Sequence, residues 1–433
     1  MTQAKDQDRN VTLLGAIAIG IGGMVGGGIF AVLGTAVGLA GGATPIAFLI
    51  AGSVALLTSY SYAKLSVRYP DSGGTIVCLD RAVGVDLATG SLNFILWLSY
   101  LVTIALYASA FGSYALTFFG EQPVWLRHVL VSAAIVLPAT INILDSSIVS
   151  RSETAIVVLK LALLALVIAA GAKDVELTRL QPDTWAPTLS LIVAGMVIFV
   201  AYEGFELIAN SAEEIVDPEK TLPRAFFACV GFVIFLYCCV AVVTVGSLDA
   251  NTIAKAKDFA LAEAAKPSLG RAGFVIVSSS ALLATFSAVN ATIYGNARLA
   301  FTLAKDGEIP KALVRKAWSR PVGGVLATTV LSLLLANLAD LRAIAILGSA
   351  SFLLVFGFVN AACFKLASEV GARRLIVLLA AVACAGALAA LLWNTYEENP
   401  NALVVFAGIV ASAVLFELLY TRRKRKGREK DVG

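Results

Sequence analysis

Long apolar runs, separated by short charged segments, divide the chain into candidate membrane spans. A helix needs about 20 mostly apolar residues to cross a bilayer core. The run 11–63 has no charged residue and is long enough for two spans, which Gly41, Gly42 and Pro45 separate. Ten further runs carry few or no charges: 87–120, 129–144, 154–172, 184–202, 225–248, 272–297, 321–339, 343–364, 375–396 and 399–416. The pattern predicts an all-α integral membrane protein with twelve transmembrane helices.

The composition excludes a water-soluble protein. Of the 433 residues, 59% are hydrophobic and 14% are charged, whereas an ordinary soluble domain is about a quarter charged. A soluble fold of this length needs a more polar surface than these charges can provide. The sequence therefore excludes a cytosolic enzyme, a nucleic-acid-binding protein and a disordered scaffold.

The placement of lysine and arginine predicts the orientation. If the N-terminus is cytoplasmic, the segments on that side carry 23 Lys and Arg and the opposite side carries 8, a bias that sets topology. The cytoplasmic segments are then 1–10, 64–85, 143–152, 210–224, 304–320, 365–374 and 421–433. The tail 421–433, with seven basic and two acidic residues, accounts for the formal charge of +4. We expect this tail to lie next to anionic lipid.

The first span is unusually rich in glycine. Six of the twelve residues 19–30 are glycine, and Gly26, Gly27 and Gly28 are consecutive. Small residues also allow close helix packing in membranes, which is the alternative interpretation. Three consecutive glycines exceed that need, and they predict an unwound segment that lines a cavity. The N–H groups freed at the start of the next half-helix would suit a carboxylate.

The sixth span contains a second irregularity. Within 199–206, Glu203 and Glu206 flank Gly204, and apolar residues lie on both sides. One interpretation ends the helix here and places both carboxylates at the membrane interface. The other treats them as buried functional groups, because intramembrane carboxylates are rare and usually functional. Interrupted helices at matching positions of two halves indicate the substrate site of a transporter.

A single lysine lies deep in the fifth span. Lys160 follows Arg151 by nine residues, which is about 13 Å along a helix and close to the middle of the bilayer. Extension of the side chain to the interface is the alternative. A lysine that faces the bundle interior can gain and lose a proton near a substrate, or can replace a bound cation. Lys160 is therefore predicted to take part in proton coupling.

No residue pattern indicates catalysis or metal binding. The six cysteines have no metal-ligand spacing, and His128 is the single histidine. Patterns of the type Gly-x-Gly-x-x-Gly in the first span follow no strand, so they do not indicate a nucleotide site. The sequence predicts no enzymatic activity, no metal and no cofactor.

Four motifs carry a resemblance to a known family. They occur in order along the chain at 26–30, at 69–75 with 81–84, at 213–225 and at 298–310. With these motifs the chain resembles the amino acid–polyamine–organocation (APC) transporters, and it is most similar to the prokaryotic ApcT-type proton-coupled amino acid permeases. In those permeases a lysine of the fifth span occupies the position of Lys160.

The resemblance implies a LeuT-type fold. Its first and second inverted repeats would be 11–172 and 184–367, each of five helices, and 375–420 would form helices 11 and 12. The segment 1–10 would be a cytoplasmic N-terminus and 421–433 a basic cytoplasmic tail.

The resemblance also implies a substrate site. The α-carboxylate of an amino acid would meet the N–H groups of the three glycines, and Lys160 would lie close to the first break and the eighth span. The implied residues are Gly26, Gly27 and Gly28 for the carboxylate; Gly22, Val25, Phe199 and Ala201 for the amine; Phe199 and Tyr202 as a cover; and Thr285 and Ser287 beside Lys160.

Two features depart from the family pattern. The first break lacks the Ser or Thr that is common in the family, so only backbone groups remain for the carboxylate. Glu203 stands where the family often has a small or apolar residue, which argues against purely aliphatic substrates, and Glu206 is a second candidate proton site. The predicted function is proton-coupled amino acid import by alternating access across a prokaryotic plasma membrane. An amino acid/amine exchanger and, less favoured, a channel or sensor are the alternatives.

Overall fold

The computed structural model describes residues 9–71, 73–84, 87–119, 123–144, 147–306 and 322–431. Within these ranges the chain is helical, and its extended pairing is limited to two isolated β-bridges. Parts of the predicted N-terminal segment, the second and fourth motifs, the loop 304–320 and the tail lie outside the described residues. The parts concerned are 1–8, Ser72, 307–320 and 432–433.

The described helices follow the predicted apolar runs. Their bounds are α1 Leu13–Met24, α2 Gly28–Ala40, α3 Thr44–Arg68, α4 Thr75–Val83, α5 Leu87–Leu116, α6 Val124–Leu144, α7 Ser147–Gly171, α8 Thr188–Val197, α9 Leu207–Asn210, α10 Pro218–Ser247, α11 Ala250–Ala256, α12 Ala260–Ala264, α13 Lys266–Asp306, α14 Val322–Leu338, α15 Leu341–Lys365, α16 Arg374–Glu398 and α17 Pro400–Asp431. A 3₁₀ helix, Ile198–Glu206, joins α8 to α9, and α13 contains a non-helical residue at Gly270.

The lengths and compositions of these helices identify a multi-pass membrane protein. Ten helical segments of the described chain are long and apolar enough to cross a bilayer, and the bent pair α1 and α2 adds an eleventh. The apolar helix α14 has 17 residues and is shorter than these. Large apolar side chains such as Phe235, Leu379 and Val404 are more than half exposed, as lipid-facing residues are expected to be.

Several helices pack against partners five predicted spans away. Helix α3 packs along α10, α5 along α13, and α6 along α14. Buried amides connect α6, α13 and α14. Asn142 of α6 donates to the side chain of Asn290 of α13 at 2.8 Å. Asn296 of α13 donates to Thr328 of α14 at 3.3 Å. These contacts surround the first and sixth spans, which cross at the centre of the molecule.

The ends of the first and sixth spans are tied to each other. Val11 pairs with Ile215 at one end, and Gly41 pairs with Trp185 at the other. Between the two bridges the residue number rises by 30 along the first span, from 11 to 41, and falls by 30 along the sixth span, from 215 to 185. The two spans therefore run antiparallel in one register. Gly41 has a φ of 58°, a conformation that favours glycine at this turn.

Candidate functional site

The first span is broken where three glycines were predicted to unwind it. Helix α1 ends at Met24, α2 begins at Gly28, and the two axes differ by 48°. Gly27 precedes α2 without a side-chain cap, so N–H groups at the start of this half-helix depend on other partners. The predicted interruption is confirmed.

The same glycines also pack closely against other helices. A Cβ atom added at Gly26 would lie 2.8 Å from the Cβ of Ala288, and one added at Gly27 would overlap the ring of Tyr107. A Cβ at Gly28 would lie 2.8 Å from the Cα of Ala201. Both interpretations of the glycines therefore apply, because the break is unwound and it is also tightly packed.

The sixth span changes geometry over nine residues. Ile198–Glu206 forms a 3₁₀ helix, which is longer than the usual three or four residues and typical of a hinge or a strained segment. Helix α9 continues the span beyond it. Glu203 and Glu206 are 4% and 1% exposed, so the structure favours buried carboxylates over a helix end at the interface.

The two interrupted spans cross backbone to backbone. A Cβ added at Gly204 would lie 2.7 Å from the Cα of Gly23, and one added at Gly23 would lie 2.8 Å from the carbonyl oxygen of Gly204. Tyr237 of α10 secures the crossing, because its hydroxyl donates to the carbonyl of Met24 at 2.6 Å and contacts that of Ala201 at 3.3 Å. Carbonyl groups of both breaks therefore meet at one place.

Glu206 lies in a cage of hydroxyl groups from three helices. Tyr100 of α5 donates to Oε1, while Tyr62 of α3 and Thr75 of α4 donate to Oε2 at 3.4 and 3.5 Å. Tyr62 and Thr75 also bond to each other at 2.9 Å. The carboxyl group thus joins the sixth span to the start of α4, where the first part of the second motif ends.

Glu203 faces a narrow cavity of about 60 Å³ beside the crossing, which has room for a few water molecules. The hydroxyl of Tyr107 donates to Oε1 of Glu203 at 3.4 Å. Its Oε2 atom has no hydrogen-bond partner among the described residues. The remaining lining includes Gly22, Gly23, Gly73, Leu96, Tyr100, Gly204, Leu207, Asn210, Ser287, Ala288, Ala291, Thr292, Gly295 and Leu299.

Lys160 lies inside the bundle against the first break. It is 2% exposed, so its side chain does not extend to the membrane surface. The ammonium Nζ donates to the carbonyl oxygen of Gly22 at 3.0 Å. This is the contact with the first span that the family resemblance implies, and it places a cation two residues before the end of α1.

The other predicted residues surround the crossing without all reaching the cavity. Ser287 lines it, whereas the Thr285 hydroxyl donates to Ala281 of its own helix at 2.6 Å. Tyr202 donates to the carbonyl of Phe48 at 2.9 Å, and Phe199 packs against the Phe356 ring. Residues of the set that do not line the cavity are Val25, Gly26, Gly27, Gly28, Phe199, Ala201, Tyr202 and Thr285.

Four functional candidates were not found from the sequence: Tyr100, Tyr107, Tyr237 and Ser349. The three tyrosines lie in otherwise charge-free runs, and a buried tyrosine hydroxyl generally needs a partner. That requirement was the available signal for them. Ser349 lies among small residues in α15, a pattern that is common in membrane helices and gave no signal.

The start of the second motif forms a contact outside the spans. Tyr69 donates to Glu369, which follows α15, at 2.6 Å, and Arg68 lies 3.6 Å from the same carboxylate. Partial burial and the bond to Glu369 raise the pKa of the Tyr69 phenol. This contact joins the end of α3 to the loop before α16.

Comparison with known proteins gives matches over nearly the whole chain. Residues 11–416 match the family described as amino acid permease. An uncharacterised protein of Methanocaldococcus jannaschii is 35% identical, with 96% of each chain covered. The inner membrane transport protein YbaT of Escherichia coli is 30% identical over 98% of this chain and 99% of its own. The low-affinity putrescine importer PlaP of Escherichia coli is 27% identical over 81% and 79%.

Proposed function

We propose, from the premise that this chain belongs to the amino acid permease family of APC transporters, that it imports amino acids together with protons by alternating access. The observation that carries the proposal is the crossing of two interrupted spans beside a cavity with buried ionisable side chains. Discontinuous helices of this kind bind substrates in secondary transporters. The relatives named as a transport protein and an importer agree with a transport function.

The substrate would be held mainly by backbone groups. The N–H groups of Gly26, Gly27 and Gly28 would bind the carboxylate at the positive end of α2. Carbonyls of both breaks, near Gly22, Val25, Phe199 and Ala201, would bind the amine. Phe199 would cover the substrate, together with Tyr202 once its hydroxyl leaves the Phe48 carbonyl. The three glycines are packed against neighbouring residues here, so binding requires a shift of the bundle around the first break.

The helix packing supports the proposed LeuT-type arrangement of twelve spans. If the halves 11–172 and 184–367 are inverted repeats, each contact between two helices should recur between their counterparts five spans away. The α5–α15 and α7–α13 contacts form such a pair, and so do the α1–α10 and α3–α8 contacts. The equal spacing of the two bridges supports the same symmetry for the first and sixth spans.

Proton coupling would act through Lys160 and Glu206. Lys160 is bonded to the first break, and Glu206 joins the sixth span to α3, α4 and α5 through hydroxyl groups. Protonated Lys160, bonded to the Gly22 carbonyl, would hold the first break in the form that binds the substrate. Loss of the proton on the cytoplasmic side would weaken this bond and release the substrate, so that both move in the same direction. Protonation would therefore be linked to the movement of the first span.

The cavity supports an inward-facing conformation. It reaches Gly73 and Asn210, on the side that the lysine and arginine count assigns to the cytoplasm. On the opposite side Ser113 donates to Asp258 at 2.9 Å, and the 3₁₀ turn that contains Asp258 packs on α2. We place the protein in the plasma membrane of a prokaryote with both termini cytoplasmic.

Glu203 favours one alternative, the exchange of an amino acid for an amine. Its Oε2 atom has no hydrogen-bond partner among the described residues and lies at the cavity, where a cationic group of a substrate would be stabilised. One relative is named as a putrescine importer. Counterflow that requires substrate inside the vesicle, without proton movement, would identify an exchanger.

The test is uptake into proteoliposomes with an imposed proton gradient. Radiolabelled amino acids are supplied in turn, and competition by the twenty amino acids gives the substrate profile. The proposal expects saturable uptake that the gradient drives and that a protonophore abolishes. Absence of gradient-driven uptake for every amino acid would contradict it.

A further inference from the structure

Ser349 of α15 bonds to two backbone groups of the sixth span at the start of its irregular segment. The N–H of Val200 donates to the Ser349 hydroxyl oxygen at 2.9 Å, and this hydroxyl donates to the carbonyl of Val197 at 2.8 Å. Ser349 is fully buried. The Ser349 hydroxyl therefore acts both as a donor and as an acceptor toward one turn of the backbone.

These two backbone groups belong to the first turn of the 3₁₀ helix, in which the N–H of residue 200 faces the carbonyl of residue 197. The Ser349 hydroxyl bonds to both groups and bridges the two ends of this turn. Ser349 thus stabilises the backbone where α8 gives way to the segment with Phe199, Ala201 and Glu203.

The residue before Ser349 allows α15 to approach the sixth span this closely. A Cβ atom added at Gly348 would lie 2.9 Å from the Cγ2 of Val200, so only glycine lets α15 approach this closely. Ser351, two residues further on, is also buried, and its hydroxyl has no hydrogen-bond partner among the described residues. The contact with the break is therefore specific to Ser349.

Ser349 and Lys160 contact nearly corresponding residues of the two interrupted spans. A shift of 174 residues carries each bridge onto the other, from 11 to 185 and from 41 to 215. The same shift carries Gly23 onto Val197, whose carbonyl Ser349 contacts, and Lys160 bonds to the adjacent Gly22. Under the five-plus-five arrangement, the fifth helix of each half contributes a side chain to the break of that half's first helix.

We propose that Ser349 is a positioning residue that fixes the first turn of the 3₁₀ helix in the sixth span, so that the residues after it keep their places beside the substrate. The part that concerns substrate rests on the proposed transport function. Lys160 contacts the first span with a group that can change its charge, whereas Ser349 contacts the sixth with a neutral group at every pH. The start of the second break would then keep its geometry while Glu206, at its other end, takes part in proton coupling.

Two measurements on purified Ser349→Ala, Ser349→Cys and Ser351→Ala test this role. Hydrogen–deuterium exchange of peptides that cover 198–206 needs no substrate. We expect about tenfold faster exchange in Ser349→Ala, an intermediate rate in Ser349→Cys because a thiol is a weaker donor and acceptor, and the wild-type rate in Ser351→Ala. Equal exchange in the two alanine variants would overturn the proposal.

The second measurement is the KM of uptake per folded protein, with the melting temperature as a control for stability. We expect KM to rise about tenfold in Ser349→Ala while Ser351→Ala keeps the wild-type value. A lower yield of folded Ser349→Ala with unchanged KM would show a merely structural role and overturn the proposal. Wild-type protein without uptake of any amino acid would refute the transport function, and the exchange data would still decide the role of Ser349.

Discussion

In the first span the helix stops at three consecutive glycines, whereas in the sixth span nine residues tighten into a 3₁₀ helix that contains one glycine. The first interruption arises from the residues of the span itself. The second depends on side chains supplied by other helices, chiefly the Ser349 hydroxyl between Val197 and Val200. Under the proposed mechanism the first break would rearrange when Lys160 changes charge, whereas the neutral Ser349 contacts would keep the start of the second in place.

The crossing point gives the largest expected effect. Gly204→Ala would place a Cβ within 2.7 Å of the Cα of Gly23, where the neighbour is backbone and cannot rotate away. We expect loss of uptake and a destabilisation of about 1–3 kcal/mol or more, measured by uptake and by thermal unfolding in detergent. Gly231→Ala, at a helical site with open space, should leave both unchanged, and an active, stable Gly204→Ala would contradict the crossing.

Replacement of Gly27 tests the first break by itself. In Gly27→Leu the new side chain would overlap the Tyr107 ring and cover the N–H groups proposed for the carboxylate. We expect substrate binding to fall at least about tenfold, since one charge-assisted hydrogen bond contributes roughly that much. Gly38→Leu, in the same half-helix and with open space, is the control. Wild-type binding by Gly27→Leu would exclude the carboxylate site.

Removal of the Lys160 ammonium should abolish proton-driven accumulation of the substrate but leave the exchange of substrate across the membrane. In Lys160→Ala we expect accumulation driven by a pH gradient to fall to the level without a gradient, because no titratable group then bonds to the Gly22 carbonyl. Counterflow of substrate should persist, and Lys173→Ala, on an exposed turn, should behave as wild type. Full gradient-driven uptake in Lys160→Ala would reject this role.

The smallest expected effect concerns specificity. Glu203→Gln keeps the shape of the side chain and removes its capacity for negative charge at the cavity. We expect neutral amino acids to be transported at similar rates and amines or cationic amino acids to compete several-fold less well. Competition assays with both classes measure this difference. An unchanged substrate profile would mean that Glu203 does not contact the substrate.

Much of the fold could be predicted from the sequence, because a long apolar run that crosses lipid must bond its own backbone groups and therefore forms a helix. The broken first span followed from the cost of glycine in a helix, as at Gly26, Gly27 and Gly28. The depth of Lys160 followed from its distance to Arg151 along the helix. These features depend on local composition, so no knowledge of tertiary contacts was needed.

The remaining features depend on contacts between distant residues. The hydroxyl cage of Glu206 joins residues 106 to 144 positions away, and the Ser349 contacts span about 150 positions. Span periodicity does not fix which face of α5 or α15 meets the crossing. For the same reason the sequence did not indicate that Tyr202 points to α3 instead of the cavity.

The most direct test of the account is a structure determined with the transported amino acid bound. The account predicts that the substrate carboxylate lies within hydrogen-bond distance of the N–H groups of Gly26, Gly27 and Gly28. Its amine should contact carbonyl groups of both interrupted spans, and the Ser349 contact with Val197 and Val200 should be retained. A substrate bound elsewhere, or one whose carboxylate is held by side chains away from the two breaks, would contradict it.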